Sequence, residues 1–563
     1  MGRVGLIWLW LAIATVAGAD DTVRYTLSPV MAKGKLQALA IEVRFAGEAD
    51  GETVLELPNE WGGKTELYQG VRDLTVDGDG VSVSSPEAAK RVVKHRSGAA
   101  LRVRYRVVQY WPGEPAVTGD NEYRPIVQPG YFHVLGNAIF AHPDGDGSRA
   151  AVFAVKGMPR GWAFASDLEH AAMGRKLTLG DVIESVSVGG DFRIVKRGPV
   201  RVAIRGKWSF SDEAFMGQLQ PIIASHHRFW GDGDEPYLVT VISLKSSPGQ
   251  QSLGGTGRSD AFAFFATDGA SDVIINRILA HEHLHTWIPR RIGGMPEKDE
   301  AGAYWLSEGF TDFYTGRLLV RDRIWSIEQF ASELNDTLAA FANSTARVAP
   351  NAAIIEGFWK DPDLGKLPYQ RGQLLATVWD ARIRTASNGA RDFDDVVLAM
   401  KARAAGPGKP PLASAMFVEE MTRVGADVAA DMARFVERGE AVLLPADVFA
   451  PCGTAETLDL AAFDRGFDPQ KTSENGNRIT GLRVDSPGYR AGLRDGMQIV
   501  KRESGKVGDS RVDLSYRVLD NGLERVITYK PEGQKRITLQ EFTLKAGMMD
   551  AERKACGRRF GGA

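Results

Sequence analysis

His281-Glu282-His283-Leu284-His285 is the stretch of this chain best suited to chemistry. It has the spacing His-Glu-x-x-His, in which two imidazoles hold a metal ion and the glutamate acts as a base. Residues four apart on a helix share a face, so His281 and His285 reach one ion. Glu282 follows the first ligand and faces the same cleft without binding the metal. The surroundings predict a helix. Asp272 is its expected N-cap, Val273, Ile274, Ile278 and Leu279 have helical spacing, and Pro289 ends it. The segment Trp305-Leu306-Ser307-Glu308-Gly309-Phe310-Thr311-Asp312-Phe313-Tyr314 supplies a third ligand. Glu308 completes a set of two histidines and one carboxylate, with water in the fourth position, as in catalytic zinc sites. Asp312, one turn further on, is placed to accept the ring N–H of His281 and fix its orientation. The set predicts one Zn2+ per chain.

Together the two motifs resemble those of the gluzincin metallopeptidases. They are most similar to the glycyl aminopeptidase family, whose members carry a C-terminal PDZ domain. A third segment agrees: Leu367-Pro368-Tyr369-Gln370-Arg371-Gly372-Gln373-Leu374-Leu375, running on to Trp379–Arg384. The resemblance implies a thermolysin-like, mainly helical catalytic domain. It implies that Tyr369 donates a hydrogen bond to the tetrahedral intermediate. It also implies that a strand, Tyr237–Leu244, and a Gly-rich loop, Gly254-Gly255-Thr256-Gly257, line the substrate cleft, with Gly254 and Gly255 as substrate-binding positions. Substrates would be peptides with a small N-terminal residue such as Gly or Ala.

One departure bears on specificity. The family's loop leads into a Glu-His pair linked to substrate binding, whereas this chain reads Arg258-Ser259-Asp260. If Asp260 faces the cleft, it meets the substrate ammonium and aminopeptidase action survives. If Arg258 faces it, blocked termini or internal bonds are favoured. An aminopeptidase is the expectation. The alternatives are an exported endopeptidase and a catalytically dead protein that binds peptides through its PDZ domain.

The elements around these motifs predict a multidomain α+β chain. Arg3, the apolar run Val4–Val16 and Ala17-Gly18-Ala19 predict a signal peptide over 1–19. A periplasmic or secreted protein with no membrane anchor after cleavage is expected, a retained anchor being the alternative. Charged residues make up 25% and the formal net charge is −2, which gives no basis for a nucleic acid partner. From 20 to 210 the chain reads as a β-sandwich-like domain, with alternation over Leu36–Phe45, Leu101–Tyr105 and Val202–Ile204. The Asp-Gly tracts at 77–80 and 144–147 read as turns rather than calcium loops. His133, His142 and the pair His226-His227 read as ordinary structural histidines. The catalytic domain is expected over 211–450, with helices near 327–342, 373–384, 392–404 and 413–422 forming a lobe beside the cleft.

The segment Ile479–Val500 carries Ser486-Pro487, Ala491-Gly492-Leu493 and Asp495-Gly496 in the order of a PDZ domain, which it resembles over 455–546. Phe463–Phe467 is the candidate carboxylate-binding loop, and a peptide ligand would join as an added strand. Cys452 and Cys556 are the two cysteines of the chain and bracket this segment, enough for one disulfide in an oxidising compartment.

Overall fold

The computed structural model describes residues 21–119, 121–145, 147–233, 235–247 and 250–562. The expected leader over 1–19 lies outside them. Alternation builds the N-terminal region. In the strand Lys35–Ala46, Leu39, Ile41, Val43 and Phe45 are buried while Arg44 is exposed. This strand pairs antiparallel with Val23–Ala32 and with Ala100–Val107 in a six-stranded sheet. Two four-stranded sheets join it around one core that contains Leu39, Val103, Phe132 and Phe140.

A five-stranded sheet follows, in the order Arg193–Arg197, Val200–Arg205, Tyr237–Ser243, Ala261–Ala266 and Leu253–Gly257. It corrects the boundary expected at 210. Val200–Arg205 pairs in parallel with Tyr237–Ser243, so the chain has left the N-terminal sheets by Arg193. The physical reason is that this strand is buried on both faces. Val202 and Ile204 enter the core of the helical lobe, and Ala203 enters the N-terminal core. A strand buried on both faces reads as an apolar run that does not reveal its sheet.

The helical lobe packs on the other side of that sheet. Its principal helices are Asp212–Trp230, Asp272–Leu284, Tyr304–Arg321, Ile327–Asn343 and Pro362–Ala386. Ser271, not Asp272, caps the Asp272–Leu284 helix, its hydroxyl accepting from the Ile274 N–H at 3.5 Å. Asp272 is instead the first helical residue, where its charge suits the positive end of the helix dipole. The helix expected over 373–384 begins eleven residues earlier, at Pro362, because Asp361 caps it by accepting from the Asp363 N–H at 2.8 Å.

The last part of the chain is an insertion rather than a terminal appendage. Gly453–Phe463 and Glu532–Leu544 form an antiparallel ribbon. Asn335 of the helical lobe holds it, donating to the Phe542 carbonyl at 2.9 Å and accepting from its N–H at 2.7 Å. Between the two strands lies a small unit with its own core of Phe467, Leu493, Leu514 and Val518. In it a short helix, Pro469–Glu474, follows the Phe463–Phe467 loop. Gln498–Ser504, Leu514–Asp520 and Leu523–Tyr529 then form an antiparallel meander. The final helix, Asp550–Gly561, returns to the catalytic core, where Phe560 is buried and Arg559 pairs with Asp380 at 2.8 Å. Among the described residues no helix is long and apolar enough to cross a membrane.

Cys452 and Cys556 are joined by a disulfide across 104 residues, tying the start of the ribbon to the terminal helix. In the chain-entropy model a loop of this length contributes about 4–5 kcal/mol. Protein prepared in an oxidising compartment should therefore titrate with no free thiols. Cys452→Ala/Cys556→Ala should unfold at lower denaturant, and two reactive thiols in the wild type would refute the bridge.

Candidate metal centre and substrate cleft

His281 lies in the last turn of the Asp272–Leu284 helix and His285 at its C-cap. The Nδ1 of His285 donates to the Ile288 carbonyl at 2.9 Å, and that of His281 bonds to the Asp312 carboxylate at 2.9 Å. With each Nδ1 so engaged, each Nε2 is the ring atom left to face a metal. These two atoms lie 3.3 and 3.4 Å from the same oxygen of Glu308. A tetrahedral zinc with ligand bonds of about 2.0–2.1 Å has ligand–ligand edges of about 3.3–3.4 Å. The three donors therefore fit the ion in type, number and spacing.

The electrostatics agree. Burial works against charge on His281, yet its hydrogen bonds to Asp312 and Glu308 outweigh that and take its pKa up to about 10. Burial would raise the Glu308 carboxyl, but His285 and His281 hold it well below the usual carboxylate range. The pocket thus favours added positive charge, which a divalent cation supplies. Arg277 gives Asp312 a second partner at 3.1 Å, keeping it an ionised acceptor.

Glu282 lies beside this set. Burial raises its carboxyl pKa against the opposing pull of His281 and His285, which makes it a better proton acceptor. The edge strand Leu253–Gly257 approaches it so closely that a Cβ on Gly257 would come 3.2 Å from the Glu282 Oε2. Tyr369, from the Pro362–Ala386 helix, places its ring 5.9 Å from that of His281. Burial, with Glu308, Glu282 and Asp312 nearby, raises its hydroxyl pKa well above 10, so it remains a donor. Tyr369 is placed by a crossing of two helices. The Gly309 Cβ position lies 2.4 Å from the Gly372 Cα, so Tyr304–Arg321 and Pro362–Ala386 touch backbone to backbone. Below the site, His283 meets His226 at 2.9 Å and packs against Trp287, with His227 alongside, all within the protein interior.

The ligands open into a cleft of about 740 Å³. Of the expected substrate-binding residues, Gly255 lines it and Gly254 does not. Asp260 is turned away: it is buried in an ion pair with Arg175, with His170 at 3.8 Å. Arg258 is turned away as well, its guanidinium donating to the carbonyls of Glu184 at 2.7 Å and Ile183 at 3.1 Å. Neither residue reaches the cleft because both belong to the seam between the catalytic sheet and the N-terminal region. Besides Glu282 and Glu308, the acidic groups of the cleft come instead from Glu60, Glu184 and Glu300. Glu184 pairs with Arg290 at 2.6 Å. Glu300 sits at the rim, where partial desolvation together with Glu308 and Glu184 raises its carboxyl pKa. No motif spacing marks Glu184 or Glu300: Glu184 lies in a connection of the N-terminal region, and Glu300 opens the short helical turn Glu300–Ala303 between the two halves of the zinc motif.

Residues 275–353 match the family model described as M61 glycyl aminopeptidase. No curated protein matches the chain. Among solved structures, an aminopeptidase N family protein from Idiomarina loihiensis is similar with a TM-score of 0.67 at 13% identity, covering 96% of this chain and 99% of that one. The likeness is one of fold. An M1 zinc metallopeptidase from Deinococcus radiodurans is similar over 76% of this chain and 96% of its own, with 16% identity and a TM-score of 0.49.

Two outcomes follow from the geometry. Glu282→Gln should still bind about one zinc per chain while losing turnover by roughly 10² or more; near wild-type turnover would remove Glu282 from the chemistry. Asp312→Asn should weaken zinc binding roughly 10–100-fold in a chelator competition, because His281 loses the partner that orients it.

Proposed function

We propose that this chain, whose residues 275–353 match the M61 glycyl aminopeptidase model, is an exported zinc aminopeptidase that releases small residues, Gly or Ala, from the amino end of peptides. The observation that carries the reading is the convergence of His281, His285 and Glu308 beside the buried carboxylate of Glu282 in one cleft. Zinc held by these three residues would supply Lewis-acid polarisation of the scissile carbonyl and make the attacking water easier to deprotonate. Glu282 takes a proton from the attacking water and passes it to the leaving amine. Tyr369 donates its hydroxyl proton in a hydrogen bond to the developing oxyanion. The edge strand at Thr256 and Gly257, beyond the carbonyl that Tyr123 holds, takes the substrate backbone in extended form.

An aminopeptidase must also hold the substrate ammonium, whose desolvation has to be offset by acidic partners. Glu300 fills that role, since Glu184 is already paired with Arg290, and the raised pKa of Glu300 marks a place short of positive charge. Met295, Tyr304, Phe358 and Trp359 crowd the same cleft, which supports a small first residue. The leader-like residues 1–19 and the disulfide support export. Residues 455–546 are read as a PDZ-like module on the order of their Ser-Pro, Ala-Gly-Leu and Asp-Gly pieces. Its candidate loop contributes Arg465 and Phe467 to a separate cavity of about 930 Å³, the place this reading assigns to a peptide ligand.

The test compares Gly-Gly and Ala-Gly peptides with their N-acetylated forms. Free-amine peptides should be strongly preferred, and Glu300→Gln should raise their KM by roughly tenfold or more, the loss of a charge-assisted hydrogen bond. Acetylated peptides cleaved at equal or better kcat/KM would replace the reading with that of an endopeptidase.

A further inference from the structure

The cleft is bridged from one wall to the other. On the N-terminal side, Trp61 and Lys64 exchange two backbone hydrogen bonds of 2.9 Å around Gly62 and Gly63. Both glycines have positive φ, 55° and 75°, as a two-residue turn of this kind requires. A Cβ on Gly63 would stand 2.9 Å from the ring of Trp359, so the turn rests on that indole. Trp359 belongs to the helical lobe, just before the Pro362–Ala386 helix. The turn and the indole both line the cavity that holds His281, Glu282 and His285.

Two anchors hold the bridge. The Trp61 ring lies 4.4 Å from the Arg258 guanidinium, which the carbonyls of Glu184 and Ile183 fix in turn. Arg258, the departure from the family's Glu-His pair, thus serves the bridge and not the substrate. Gly62 rests on the ring of Tyr123, whose hydroxyl donates to the Gly255 carbonyl at 2.6 Å. That carbonyl lies on the edge strand an extended peptide would use, and Tyr123 already occupies it.

We infer that this bridge is what makes the site an exopeptidase: Gly62–Gly63 against Trp359, with Tyr123 capping Gly255, ends the cleft so that a peptide terminus fits where a continuing chain would not. The inference rests on the aminopeptidase reading and adds the residues that enforce it. Trp359 is 59% exposed, so truncating it leaves the core packing intact.

The experiment measures the ratio of kcat/KM for an N-acetylated tetrapeptide to that for its free-amine form, in wild type, Trp359→Ala and Tyr123→Phe. A second readout, independent of turnover, is calorimetric binding of the acetylated peptide to zinc-loaded Glu282→Gln with and without Trp359→Ala. Trp359→Ala should raise the ratio threefold or more and tighten that binding by a similar factor, with a smaller rise for Tyr123→Phe. If wild type prefers free amines and Trp359→Ala moves the ratio by less than threefold, the bridge does not enforce the preference and the inference falls while the aminopeptidase reading stands. If wild type cleaves the acetylated peptide as readily as the free one, both fall together.

Discussion

The contact between Gly309 and Gly372 is the constraint on which the catalytic geometry depends. A Cβ on Gly372 would come 1.9 Å from the Trp305 carbonyl, and one on Gly309 would meet the Gly372 backbone at 2.4 Å. Any side chain at either position would push the two helices apart. Overpacking of this kind costs typically about 1–3 kcal/mol, and here it would also move the site. Glu308 is the residue before Gly309, and Tyr369 lies almost one turn before Gly372. The spacing between Glu308 and Tyr369 is therefore set by backbone contact, the least compressible kind available. Aromatic rings lock the crossing from one side: Trp305 packs on Trp379 and Phe417, and Phe310 on Phe393.

The same helix manages buried charge at both ends, in two different ways. Near its start, Glu308 and Asp312 cluster with His281, Glu282 and His285 at the base of the cleft, with Arg277 on Asp312, an arrangement that a cation held by the two histidines and Glu308 would stabilise. Near its end, Arg317 meets Asp380 at 3.2 Å, Asp392 at 2.8 Å and Asp394 at 2.8 Å, with Arg384 and Arg559 balancing the acids. The second network needs no metal. It pins the helix to the Pro362–Ala386 helix and to the terminal helix, so the ligand end of Tyr304–Arg321 cannot drift from Tyr369.

The five-stranded sheet is the wall shared by two cores. Along Tyr237–Ser243, Val239 and Val241 face the helical lobe while Leu238 and Ile242 face the N-terminal sheets. The N-terminal region is thereby held rigidly to the catalytic lobe. Its connections bring Trp61, Tyr123 and Glu184 into the cleft, although the nearest of them lies almost one hundred residues before His281.

The meeting of His281, His285 and Glu308, and the contact of Asp312 with His281, were legible in the sequence because a shared helical face imposes a local rule. Two imidazoles must share one helical face, and an acceptor must sit one turn from the third ligand. Period-two alternation likewise exposed the N-terminal strands. What spacing could not reveal was every relation between distant segments. Val200–Arg205 looks like any apolar strand, and only its partner Tyr237–Ser243 shows which sheet it joins. Gly309 and Gly372 are unremarkable until their helices cross. Asp260 and Arg258 were natural candidates for the cleft by sequence position, yet one lies in an ion pair with Arg175 and the other beneath Trp61, since pairing across the domain seam turns both inward. The groups that instead line the cleft, Glu184, Glu300 and Trp359, obey no periodicity because each lies in a connection or a single short helical turn. The sequence alone determined which residues could gather around a metal; the tertiary structure decided which residues line the cleft, because a helix repeats its geometry every turn, whereas a cleft wall is assembled from connections whose meeting depends on how whole elements pack.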